Sequence, residues 1–201
     1  MNIAKFENVR AMKSAVTESG NKFFTPGAME FFHSVIEGPL IDGSFFVTSE
    51  YMDDPAEKKY TARYFTERFH TVPASAHMRY SHEDIGEFQA YGSRAEAVGA
   101  IREFQANLNA SRQVESILRE AGGLVTFEAE SGYMWLRRED GRAVRADIFG
   151  RGTVLERSGV KLHAKDDVYE VVVGDLSTPR QFGEYVRSLA DKMIAGGSDL
   201  A

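Results

Sequence analysis

The longest stretch of this chain that reads as buried, residues 168–173 (Val168-Tyr169-Glu170-Val171-Val172-Val173), is only strand length. The other apolar runs are equally short and are separated by glycine, proline and polar turn residues. Such punctuation suits short strands and amphipathic helices, and it leaves no run near the roughly 18–20 apolar residues that a bilayer-crossing helix needs.

Phe6, Val9, Met12, Lys13 and Val16 recur at helical spacing and stop at Gly20. Thr25-Pro26 supplies a cap and a first-turn proline for a second helix, whose Ala28, Met29, Phe31, Phe32, Val35 and Ile36 cover more than half the circumference. That composition predicts a deeply buried helix ended by Gly38-Pro39. Residues 45–51 and 60–65 are aromatic and β-branched and flank Asp53-Asp54-Pro55, so they read as an antiparallel hairpin. Residues 70–84 read as a loop, 87–91 as a short strand, and Ser93 with Glu96 as a capping box opening a helix. Asn107 and Asn109 predict a break in that helix before Gly122-Gly123 ends it.

The second half is richer in strands. Residues 124–127, 133–137, 143–145, 153–155 and 168–173 are the candidates, and Asp140-Gly141 is the strongest hairpin turn. Thr178-Pro179, with Gln181 three residues after the cap, opens a final helix carrying Phe182, Tyr185, Val186, Leu189 and Met193. The expected fold is α+β: antiparallel hairpins or a mixed sheet with packed helices. Each half repeats the order hairpin, strand, capped helix, so two lobes over 1–109 and 110–201 are expected, with one continuous domain as the alternative.

A set of blocks in the first half resembles an uncharacterised family of small phage and prophage proteins. They are Lys22-Phe23-Phe24-Thr25 with Met29, Phe31-Phe32 and Ser34, then Phe46-Val47-Thr48-Ser49-Glu50. Tyr60-Thr61 with Arg63 follows, and Gly86-Glu87-Phe88-Gln89-Ala90-Tyr91 precedes Ser93-Arg94-Ala95-Glu96. The resemblance spans about residues 22–104. It implies a phage or prophage origin and attaches no activity.

Physically, Phe23, Phe24, Phe31 and Phe32 read as core. Lys22, Glu50 and Arg63 are candidate binding residues, against the simpler reading of Glu50 and Arg63 as a cross-strand ion pair on a solvated face.

With 201 residues and no cysteine, the chain has no disulfide framework, thiolate metal site or Cys nucleophile, and a cytoplasmic address is expected. Its first residues lack the layout of a signal peptide. Phosphate-loop, dinucleotide-binding, His-Glu-x-x-His, calcium-loop and nucleophile-elbow motifs are missing, and no cofactor or catalytic residue is implied.

Three weaker constellations remain. His70, His77 and His82, near Glu83 and Asp84, are candidate metal ligands, although the spacing fits no compact template and solvated loop histidines are the simpler reading. Asp147 and Glu156, on successive strands, are a candidate Mg²⁺ pair without the lysine such sites carry. Third, the net charge is −6, yet residues 137–161 hold a local excess of arginine. There, Tyr133, Trp135 and Arg137 alternate onto one strand face, and Arg145 lies on the partner strand. Rings beside cations are the materials of a single-stranded nucleic-acid surface. The simpler reading puts Tyr133 and Trp135 in the core with arginines at its edge.

The expected function is therefore that of a phage or prophage accessory protein, stoichiometrically binding a host or defence macromolecule in the host cytoplasm. Nucleic-acid binding through 133–161 is the alternative and a small metal-dependent enzyme the third reading. A host or defence protein is the expected partner, a homo-oligomer is compatible, and a membrane is not expected.

Overall fold

In the computed structural model, residues 2–31, 33–51, 57–67, 79–121, 124–128, 133–138, 140–163 and 167–195 are described, apart from the side chains of 124–128 and of Tyr133. The fold is α+β, and the chain forms two compact units, Met1–Arg102 and Glu103–Ala201.

The first unit contains a four-stranded antiparallel sheet in the order β1-β2-β3-β4. Its strands are β1 (Val35–Ile36), β2 (Phe45–Glu50), β3 (Lys59–Glu67) and β4 (Tyr80–Ile85). Helix α1 (Val9–Glu18) starts where the Asn8 carboxamide accepts the Ala11 N–H at 2.9 Å. Its Met12 and Val16 are fully buried in one core with Phe46, Phe65 and Tyr80, and Phe6, Phe23 and Phe24 pack on that cluster. Phe46 and Phe65 stack at 5.5 Å, and Phe23 meets Phe65 edge-on at 5.8 Å. All six residues of β2 are buried, so both sheet faces are covered there.

The predicted buried second helix is instead α2 (Pro26–Phe31), six residues with none buried; Phe31 is 75% exposed. The chain turns at His33, whose φ is 47°, and the Ser34 N–H bonds to the Met29 carbonyl. Val35 and Ile36, apolar and β-branched, then pair with β2 as strand β1. The Thr25 hydroxyl donates back to the Lys22 carbonyl at 2.7 Å.

Two further expectations are corrected in this unit. Residues 80–85 are a strand because they pair residue for residue with β3, with Tyr80 and Ile85 buried at the two ends. Residues 87–91 are a turn, in which Gln89 takes a positive φ of 58°; only Tyr91 bridges to the sheet, at Tyr60.

Helix α3 (Arg94–Glu120) runs without a break through Asn107 and Asn109. The Asn107 carboxamide is engaged by the Gly152 N–H, so it does not compete for the helix backbone. The Ser93 hydroxyl caps the Glu96 N–H at 3.2 Å, and the Glu96 carboxylate accepts the Gly92 N–H at 2.9 Å.

The second unit is a five-stranded antiparallel meander: β5 (Leu124–Glu128), β6 (Tyr133–Arg137), β7 (Ala143–Phe149), β8 (Gly159–His163) and β9 (Val168–Val172). Residues 155–157 form a 3₁₀ turn where a strand was expected over 153–155, and β8 replaces it in the sheet. Helix α4 (Pro179–Ala195) is capped by the Thr178 hydroxyl, which accepts the Gln181 N–H at 3.1 Å.

Phe182, Val186, Ala190, Met193 and Ile194 of α4, with Val114 and Leu118 of α3, share one core with Leu136, Val144, Ala146, Val160, Leu162 and Val171. Every second residue of the three inner strands thus faces the helices. Gly159 must be glycine, because a Cβ there would run into the Val171 carbonyl.

Candidate functional site

Two side-chain constellations stand out, one in each unit. In the first, Arg63 is cross-strand partner to Phe46, so Glu50 does not lie directly opposite it. The long guanidinium instead runs along the sheet face. Its Nε donates to Thr48 at 2.8 Å, one terminal nitrogen to Asp84 at 2.7 Å, and the other to Glu50 at 3.2 Å. The Thr61 hydroxyl completes the ring by donating to Glu50 at 3.0 Å and accepting the Gln89 N–H at 3.0 Å. Phe23 and Phe88 approach the guanidinium at 5.1 and 5.5 Å.

Glu50 is 0% exposed and Arg63 4%, which corrects the reading of a solvated ion pair. The sequence pattern missed this because Phe23 and the 86–91 turn, remote along the chain, form part of the covering. Among the described residues no buried side-chain nitrogen or oxygen lacks a partner, so the ring acts as a polar keystone of the sheet. Lys22 is exposed and is not brought into the ring.

His82 lies on β4 with its ring 4.8 Å from Phe23. Loss of hydration, reinforced by the nearby Arg63 cation, lowers its pKa below the ordinary histidine value. His70 and His77 lie outside the described residues. Among the described residues no three His, Asp or Glu side chains are grouped to hold a metal ion.

In the second unit, burial of Leu136, Val144, Ala146, Val160 and Leu162 assigns the alternate positions to the opposite, outer face. Trp135 and Arg137 are therefore on the outer face, which corrects the reading of Trp135 as core. The Tyr133 side chain lies outside the described residues. The register arranges the outer face as a grid. Trp135 pairs with Arg145 and Arg145 with His163; Asp147 pairs with Lys161 and Lys161 with Glu170.

The contacts within that grid are specific. His163 Nε2 is 2.6 Å from an Asp147 carboxylate oxygen, to which Arg145 also donates at 3.1 Å. Partial burial works to raise the Asp147 pKa, but the hydrogen bonds from Arg145 and His163 outweigh it and hold the carboxyl below its ordinary value. Glu170 bridges Arg151 at 3.0 Å and Lys161 at 3.5 Å. Arg151 and Lys161 also sit 4.8 and 5.8 Å from the Phe149 ring. Glu156, expected on the strand after Asp147, is instead in the 3₁₀ turn.

His163 and Glu170 carried no signal as single residues. The alternation Gly159-Val160-Lys161-Leu162-His163 would have placed Lys161 and His163 together once 159–163 was read as a strand.

Residues 8–102 match a family of unknown function (DUF7447), and the match ends at the last residue of the first unit. No curated protein and no solved structure matches the chain. No helix among the described residues is long and apolar enough to cross a membrane.

Proposed function

We propose that this chain works by binding, and that the outer face of the second sheet holds single-stranded nucleic acid. The observation that carries this reading is the pairing of Trp135 with Arg145 on the face opposite the core. An aromatic ring offers a stacking surface for any base, worth about 1–3 kcal/mol per base, while neighbouring cations meet the phosphates. Phe149, with Arg151 and Lys161 against it, repeats the combination elsewhere on the same unit. The carboxylates of Asp147 and Glu170 hold these cations in place, so a phosphate must compete with existing ion pairs and binding should be modest and salt-sensitive.

The setting we propose is that of a phage or prophage accessory protein acting stoichiometrically in the host cytoplasm. It rests on the resemblance of the first half alone, and the matched family supplies no function.

A second reading, docking of a host or defence protein, is favoured by one surface of the first unit. Phe31 and Val35 are exposed there, and a cavity of about 480 Å³ is lined by Met29, Glu30, His33, Ser34, Val35 and Tyr51. A tagged pull-down from host lysate, with and without nuclease, separates the two. The nucleic-acid reading expects recovered material to collapse under nuclease and in Trp135→Ala. One stoichiometric protein that survives nuclease and is lost in Phe31→Asp would replace it with the second reading.

A further inference from the structure

The outer face holds more than binding requires. Along β8 and β9, His163 and Glu170 stand diagonally on either side of Lys161, and Arg145 is the cross-strand neighbour of His163 on β7. Diagonal neighbours in an antiparallel sheet are about 7–8 Å apart, so a phosphate lying along this face meets both side chains, with the Glu170 carboxylate held between Arg151 and Lys161. A carboxylate, an imidazole and two cations on one face are the groups that a phosphodiester transfer by general acid–base catalysis needs. His163 is held at Nε2 by Asp147, which leaves Nδ1 as the ring nitrogen that can face a substrate.

We propose that the strand held on this face is RNA and that the site cleaves it; this rests on the nucleic-acid reading above. The Glu170 carboxylate takes the proton of a ribose 2′-hydroxyl, and the 2′-oxygen forms a bond to the adjacent phosphorus. The bond from phosphorus to the 5′-oxygen breaks, its electron pair stays on that oxygen, and His163 supplies the proton it needs. The products are a 2′,3′-cyclic phosphate and a 5′-hydroxyl, and the balance needs no further reactant. Lys161 and Arg145 stabilise the charge that builds on the phosphoryl oxygens. Asp147 is a positioning residue that holds the imidazole. Among the described residues, the groups facing His163 are Arg145 and Asp147 from β7, Lys161 from its own strand and Glu170 from β9, while its direct partner on β9 is the apolar Val168.

The test uses the full chain, chelator, and two end-labelled 12-mers of one sequence: an all-DNA strand and the same strand with a single ribose. The all-DNA strand is expected to bind and stay intact, and the chimera to be cut after its one ribose, leaving a cyclic phosphate. His163→Gln and Glu170→Gln are each expected to slow cleavage by roughly 10²–10⁴-fold, the usual contribution of such a group. Asp147→Asn should lower kcat while leaving KM for the chimera unchanged, a split that a purely structural role would not produce.

If both strands bind and neither is cut, the cleavage proposal is overturned and the binding reading stands. If neither binds, both fall. Cleavage that continues unchanged in both Gln variants comes from elsewhere and also overturns the proposal.

Discussion

Arg63 carries the clearest energetic consequence of any single residue. It satisfies two carboxylates and a threonine from inside the sheet, with only 4% of its surface exposed. Removing one partner of a buried charge network strands the other charges without water or a counter-ion, a loss of about 3–5 kcal/mol. Arg63→Met leaves Glu50 and Asp84 facing each other, whereas Glu50→Gln leaves Arg63 its contact with Asp84. Urea unfolding should therefore show a larger drop in midpoint for Arg63→Met than for Glu50→Gln. Equal, negligible shifts would mean that the ring carries no such load.

His82 adds a pH dependence. Its folded-state pKa is lowered, so the unfolded chain binds the proton more readily. The contribution is complete above the ordinary histidine value of about 6.5 and is lost as pH falls through the folded value. The residue keeps part of its surface in solvent, which keeps the effect small. His82→Gln should flatten the decline in stability on the acid side of that range, as read by thermal melts across pH.

At the scale of elements, legibility tracked how local each determinant was. The hairpin at Asp140-Gly141, the Ser93 cap and the Thr178-Pro179 start are encoded within a few residues, and the structure contains all three. The apolar residues of 28–36 satisfy a helical wheel even though the last two, Val35 and Ile36, belong to a strand edge; pairing with β2 decides between the two. Strand β8 was hidden because Gly159 opens it, and glycine is a poor strand former that this site needs for close approach to Val171. Gly159→Ala should therefore destabilise the second unit by about 1–3 kcal/mol through overpacking, measured by denaturant unfolding. The outer face became readable only once the core had claimed the alternate residues. Trp135 was ambiguous in sequence because either set of alternating residues in β6 could be the buried one.

For the whole molecule, the two units have separate cores, one built on Phe46 and Phe65 and one on Phe182, Val186 and the meander. The family match covers the first core, and the proposed chemistry lies in the second. An overall charge of −6 disfavours indiscriminate adherence to nucleic acid, so contact should be confined to the local cationic face. In that case each phosphate contact contributes a slope of about −0.7 in log affinity against log salt for a single strand. Arg145→Ala should reduce the slope by about that amount and leave the fold intact, as checked by circular dichroism.

The most direct measurement uses the chain's one tryptophan, Trp135, as its own reporter. Titrating a 12-mer of single-stranded oligonucleotide at low salt should quench its fluorescence saturably, and raising the salt should reverse the quenching. Fluorescence that stays unchanged through micromolar oligonucleotide, with the protein folded, would contradict the assignment of this face to nucleic acid.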